Sequence, residues 1–301
     1  MSGILEALRI YIQNLSYDGV LPETFQYGFV INSLICGILI GPLLGWMGTM
    51  ILIKRMAFFS QAIGNAALTG VAIGILVGEP YNAPYISMFG FCLLFGIVLK
   101  FTQYRTSMSL DTLIGVFLSI SLALGASLIL FVSARVNTHI LESILFGSIL
   151  TVNDTDIMVL VVVGLICVGV GLPLFNRTLL ASFDPGLAHA RGLAVRRLDY
   201  IFVVLITILT VACVKIVGAV LVVALLLIPA ASARNISASI SGFVGWSVVF
   251  SSASCLLGIV VPMQYDLAIP SGGAIVLAAG VIFVITTIIR STFGRFKEAG
   301  V

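Results

Sequence analysis

In the stretch "SQAIGNAALTG", residues 60 to 70, Gln61 and Asn65 stand four apart. On a helix that spacing is one turn along one face, with the β-carbons about 5 to 6 Å apart. Two side-chain amides so placed can offer carbonyl oxygens to a cation or hydrogen bonds to a neighbouring helix, and they lie in a run without charge from Met56 to Gly78. A second pair, His139 and Glu142, is three apart in "RVNTHILESILFGSILTVNDTD". That spacing occurs in metal ligation, although an exposed His and Glu on an interfacial helix usually just meet water. In the same stretch Asp154 and Asp156 are placed to begin a helix, where acidic side chains favour the dipole.

Bond-making chemistry is not indicated. The chain has no H-E-x-x-H, no G-x-S-x-G and no phosphate-cradling G-x-x-x-x-G-K-[ST]. Any ATP-driven step would therefore need an ATPase on another polypeptide. Cys36, Cys92, Cys167, Cys213 and Cys255 all fall in apolar runs without metal-ligand spacing, which is the pattern of ordinary packing.

The elements that must carry these residues are set by the solvent. Of 301 residues 60% are hydrophobic and 9% charged, with a mean hydropathy of +1.22, against about 25% charged in a soluble domain. This is an integral membrane protein. A hydrocarbon core about 30 Å thick needs roughly 20 apolar residues per helix, and seven charge-free runs qualify: Tyr27 to Ile53, Met56 to Gly78, Pro80 to Leu99, Thr112 to Ala134, Ile157 to Asn176, Asn235 to Tyr265 and Leu267 to Ile289. Ile201 to Ala233 is too long for one span and reads as two helices breaking near "VKIVG". The expected fold is all-α and polytopic, with nine spans, or eight if the broken region does not cross twice. Barrels are excluded, because these runs are continuous rather than alternating. Within the first span Gly37, Gly41 and Gly45 repeat at four-residue spacing, giving a face smooth enough for close approach of another helix, in this chain or in a second subunit.

Orientation follows from the basic residues. Nine spans with the N-terminus outside put Lys54, Arg55, Lys100, Arg105, Arg177, Arg191, Arg196, Arg197, Arg234, Arg290, Arg295 and Lys297 on the cytoplasmic side, leaving Arg9 and Arg135 outside and Lys215 near a helix end. The net charge of +3 is a consequence of that topology and no argument for nucleic acid. Residues 1–25 open with an amphipathic segment expected on the outer surface, 26–290 form one transmembrane domain, and 291–301 form a cytoplasmic tail. Between two spans, "FNRTLLASFDPGLAHARGLAVRRLDY" is the longest hydrophilic stretch. Its "SFDPG" reads as a helix start, with Asp184 as cap, Pro185 in the first turn and Gly192 as the stop.

Taken in order, "GPLLGWMGTMILIKRMAFFSQAIGNAALTGVAIG", "LIGVFLSISLALGASLIL", "LESILFGSILTV", "SFDPGLAHARGL", "VGAVLVVALLLIPAASAR" and "DLAIPSGGAIVL" resemble the permease subunits of ABC-type importers of divalent metals, the zinc, manganese and iron uptake family. The resemblance covers about residues 37 to 285. It implies a type II importer bundle in a bacterial plasma membrane that binds no cofactor itself. Its partners would be a second permease subunit, as an identical copy, two cytoplasmic ATP-binding subunits and an extracytoplasmic metal-binding protein. Residues 182–193 would be the coupling helix received by the ATPase, with Ser182, Phe183, Asp184, Pro185, Gly186, His189 and Gly192 carrying that role. The family usually has an aspartate at the position of Gln61 and a histidine at that of Asn65, pointing at the translocation path. This chain departs from both, offering uncharged carbonyl oxygens that suit harder ions and bind zinc poorly. Three readings stay open: passage of manganese, iron or zinc through a low-affinity path, a different cargo, or a divergent subunit beside a more typical one. Outside the family, a secondary transporter would place ionisable residues within its spans, where only Lys215 is a candidate, and a scaffold would have no need of the docking helix.

Overall fold

The computed structural model describes residues 2–17, 26–80, 84–106, 108–133, 152–265 and 271–298. Among these the chain is helical throughout: α1 (Ser2–Tyr17), α2 (Gly28–Ile53), α3 (Phe59–Val77), α4 (Tyr85–Arg105), α5 (Leu110–Ser133), α6 (Asp154–Phe183), α7 (Pro185–Ala190), α8 (Val195–Val217), α9 (Ala219–Ile236), α10 (Ile240–Gln264) and α11 (Ser271–Glu298). Nine of these, all but α1 and α7, contain stretches long and apolar enough to cross a membrane. The odd count follows from one residue. Gly218, at φ +91°, ends α8, and Ala219 starts α9 directly after it. That conformation is cheap only without a β-carbon, so the long apolar run becomes two spans. His139 and Glu142 lie outside the described residues.

One boundary differs from the sequence reading. The span expected to stop at Asn176 continues through Arg177 to Phe183, as a 30-residue α6 that contains Pro173. Proline withholds only one backbone donor, a loss that apolar packing on the rest of a long helix tolerates. Past it, Ser182 Oγ returns to Thr178 O at 2.7 Å, and Ala181 is buried against the short helix that follows.

The residues form two compact units. Met1–Thr49, Ser148–Val161 and Ala224–Val301 make the first. Its seam runs along α2 and α10. A methyl group added at Gly37 would stand 2.9 Å from Ile259, at Gly41 2.8 Å from the Ser252 backbone, and at Gly45 2.7 Å from the Ser247 carbonyl oxygen. Ser247 Oγ donates to Gly45 O at 2.6 Å, closing the seam with a buried hydrogen bond. In the same unit Arg9 of α1 donates to Asn32 Oδ1 at 2.7 Å and pairs with Asp154 at the start of α6.

Met50–Gly147 and Val162–Val223 make the second unit, which carries the candidate site. A tight elbow leads into it: Arg55 sits at φ +55°, and Met56, which is buried, returns its N–H to Ile51 O at 3.0 Å. α3 then packs closely on two neighbours. Gly70 abuts the Met88 backbone of α4, and Gly125 of α5 abuts Thr69. Thr69 Oγ donates to Ser121 O at 3.3 Å, so the α3 to α5 crossing is polar as well as close.

Candidate translocation face and docking helix

Within α3 the polar side chains meet two different fates. Thr69 is buried and hydrogen-bonded to α5. Gln61 is exposed and Asn65 half-buried, and among the described residues neither amide finds a hydrogen-bond partner. An amide left unpaired in an apolar medium costs about 2 to 7 kcal/mol, depending on the reference state. In a spanning helix the two groups therefore require water, a cargo or another chain against them. The structure keeps them on neighbouring turns of α3 and assigns neither to packing inside the unit. Among the described residues there is no group of three or more His, Cys, Asp or Glu that could hold a metal ion. Any ion meeting α3 here would face carbonyl oxygens.

The "SFDPGLAHARGL" segment folds as its residue types demand. Ser182 and Phe183 belong to the last turn of α6. Asp184 is the N-cap of α7, accepting the Leu187 N–H at 2.9 Å, and Pro185 occupies the first turn, where its missing N–H costs nothing. Gly186 sits so close to the cap that an added methyl would stand 3.3 Å from Asp184 Oδ1. His189 Nδ1 lies 2.8 Å from Pro185 O, so its ring is turned back along the helix. Gly192, at φ +73°, makes the left-handed turn, with its N–H on His189 O at 2.9 Å.

Only one side of α7 is used. Ala188 is fully buried with Ala181 of α6 and Leu198 of α8, flanked by Leu174, Leu180, Leu193 and Val195. On the free side Phe183 is 63% exposed and Leu187 44% exposed. A capped helix seated by one alanine, with Leu187 uncovered on it and Phe183 uncovered at the end of the helix before it, has a surface that a partner could cover.

A polar hub beside this segment escaped the sequence reading. Asp199, in the first turns of α8, accepts from Lys54 Nζ at 2.7 Å and from Tyr104 Oη at 2.6 Å, and pairs with Lys100 Nζ at 3.0 Å. All three charged side chains are largely buried, at 10%, 6% and 15% exposure for Lys54, Lys100 and Asp199. Arg196 and Lys100 both lie over the Tyr104 ring, 5.2 and 5.0 Å from its centre. Counted by sequence, Lys54 and Lys100 are simply basic residues at span ends. The available signal was Asp199 itself, the one acidic residue in "VRRLDY".

Nine helices long and apolar enough to cross a membrane, among the described residues, define a polytopic membrane protein. Residues 26–290 match the ABC 3 transport family, and the chain belongs to that family. It is 33% identical to the manganese transport system membrane protein MntC of Listeria innocua, over 88% of this chain and 92% of that one. It is 30% identical to the high-affinity zinc uptake system membrane protein ZnuB of Haemophilus influenzae, over 87% and 97% respectively. Among solved structures, PsaBC from Streptococcus pneumoniae in complex with Fab superposes with a TM-score of 0.74 at 32% identity, covering 86% of this chain and 91% of that chain. The chain is thus a transport subunit of an ABC system and not an enzyme.

Proposed function

We propose that this chain is the membrane-spanning subunit of an ATP-driven importer of divalent metal ions, and that Gln61 and Asn65 line the path the ion takes. The observation that carries the reading is the pair of amides on neighbouring turns of a spanning helix, without a hydrogen-bond partner among the described residues, in a chain whose relatives are named for manganese and zinc transport. α7 is the surface received by a cytoplasmic ATP-binding subunit, and its exposed Leu187, with Phe183 at the end of α6, suits an apolar groove. The distribution of basic residues supports a topology with Lys54, Arg177, Arg191 and Arg234 on the same cytoplasmic side and the N-terminus outside. A second permease copy and an extracytoplasmic binding protein complete the importer, and closure of the ATPase pair drives alternating access through α7.

The donor atoms favour manganese over zinc. Zinc prefers imidazole and thiolate, whereas carbonyl oxygens suit harder ions that keep part of their hydration shell. Without a formal charge at Gln61 and Asn65 the path holds the ion weakly, which helps release and leaves capture to the binding protein. The test is parallel uptake of radioactive manganese and zinc by cells expressing the chain with its ATPase and binding protein. Manganese should accumulate in an ATP-dependent way, in excess of zinc. Accumulation of neither ion by an assembled complex would overturn the reading and turn the search to other cargo.

A further inference from the structure

The turns that open α8 face two ways. Leu198 belongs to the buried cluster that seats α7 through Ala188. Its neighbour Asp199 grips Lys54 at 2.7 Å, Lys100 at 3.0 Å and Tyr104 at 2.6 Å. Lys54 follows α2 directly and leads through the Arg55 elbow into α3, whose first turn carries Gln61. Lys100 and Tyr104 belong to α4. One residue step in α8 thus joins the seat of the docking helix to the start of the site-bearing helix and to α4.

The chemistry of the hub makes that joint stiff. Two ammonium groups share one carboxylate, and all three are largely shielded from solvent. Separating such partners leaves an uncompensated buried charge, a far larger cost than sliding apolar side chains past each other. A displacement of α7 that reaches Leu198 therefore carries Lys54 and the elbow with it instead of dissipating in the packing. Adhesion alone would be served by apolar contacts, as it is between Ala188 and Leu198. A carboxylate bonded to three groups at 2.6 to 3.0 Å also fixes distance and direction.

We infer that Asp199 is a positioning residue that transmits the movement of α7 to the start of α3 and to α4, coupling ATP hydrolysis to the helix that bears Gln61 and Asn65. The inference rests on the reading of α7 as the ATPase-docking helix, and it assigns Asp199 no contact with the ion.

The experiment compares the wild type with Asp199→Asn, Asp199→Glu and Tyr104→Phe, each reconstituted into proteoliposomes with its ATP-binding and ion-binding partners. ATP hydrolysis and radioactive manganese uptake are measured on the same vesicles. The readout is manganese moved per ATP hydrolysed. The isosteric Asp199→Asn keeps the volume and loses the charge, so the assembled complex should go on hydrolysing ATP while the ratio falls at least about fivefold. Asp199→Glu should recover part of that loss. A wild-type ratio in assembled Asp199→Asn overturns the inference, and so does a fall of hydrolysis and uptake in equal proportion, which would mark a merely structural role. If Asp199→Asn does not assemble, Tyr104→Phe decides. It removes one hydroxyl from the hub, and a lowered ratio supports the inference while an unchanged one overturns it. Leu187→Glu tests the underlying reading separately: it should abolish co-purification of the ATP-binding subunit. If it does not, the docking reading fails and the inference falls with it, whereas loss of co-purification beside a normal Asp199→Asn ratio defeats the positioning role alone.

Discussion

Along α2 and α10 the first unit is held by what its residues lack, whereas the second unit gathers buried charge around α4 and α8 and carries, on α3, two amides without a partner among the described residues. Gly37, Gly41 and Gly45 bring two backbones together, with Ser247 adding one hydrogen bond. Hydrocarbon supplies no hydrophobic drive between helices, so close van der Waals approach and polar bonds are the two means of adhesion left. The seam uses the first and spreads its contacts over three turns of α2, so no single partner can be exchanged for another. The second unit uses close approach too, at Gly70 and Gly125, but adds the charged hub at Asp199, and among the described residues it leaves Gln61 and Asn65 without a hydrogen-bond partner. Static closure and a capacity to change partners are thus carried by different residues in different units.

The contrast breaks most severely at Gly45. An added methyl would meet the Ser247 carbonyl oxygen at 2.7 Å and the Val248 α-carbon at 2.9 Å, both backbone atoms that cannot turn aside. Overpacking typically costs about 1 to 3 kcal/mol, and Gly45→Leu adds four carbons at an immovable wall. It should abolish monodisperse protein in detergent, as read by size-exclusion chromatography. Gly115→Leu, where nothing stands within 4 Å of the added carbon, should elute as the wild type. A well-folded Gly45→Leu would mean that the seam yields, and the distinction between a static and an adaptable unit would go.

These features were unequally visible in the sequence, for physical reasons. Spans announce themselves by hydropathy alone, and the α8 to α9 break was marked by Lys215 and Gly218 inside an over-long run. The short helix α7 was equally local: cap, proline and left-handed glycine all lie within nine residues, 184 to 192. The glycine stripe could be read as a packing face, but its partner α10 lies some two hundred residues on, and although Ser247, Ser251 and Ser254 recur there at helical spacing, nothing local pairs them with α2. The hub was invisible for the same reason. Lys54 and Asp199 are 145 residues apart, and the orientation rule accounts for Lys54 without any partner. Local chemistry can be read from a chain, while tertiary pairing of charges needs the fold.

A smaller effect is expected at the cap of α7. Asp184→Ala removes the acceptor of the Leu187 N–H and should cost about 1 kcal/mol. The helix is seated by Ala188, so the loss falls on its order more than on the fold. Binding of the ATP-binding subunit, measured by titration, should weaken several-fold while the thermal midpoint of the isolated chain hardly moves. An unchanged affinity would mean that α7 is held in shape by its seat and needs no cap.

The smallest effect on stability is expected where the proposed function is most concentrated. Asn65 has no hydrogen-bond partner among the described residues, so Asn65→Ala breaks no bond and should change stability by no more than about 0.5 kcal/mol. Ser247→Ala, by contrast, removes a buried bond between two helices, at a cost of about 0.5 to 1.5 kcal/mol, while the Gly45 carbonyl oxygen keeps its place in the α2 ladder. Thermal midpoints of the two variants in the same detergent make the comparison, with Ser247→Ala lower. Uptake should show the reverse order, since Asn65→Ala takes an oxygen donor from the path while Ser247→Ala leaves the donors of α3 untouched. If Asn65→Ala proved the less stable of the two, Asn65 would be a packing residue with a partner it gains in the membrane or the assembly, and the assignment of α3 to the path would have to rest on Gln61 alone.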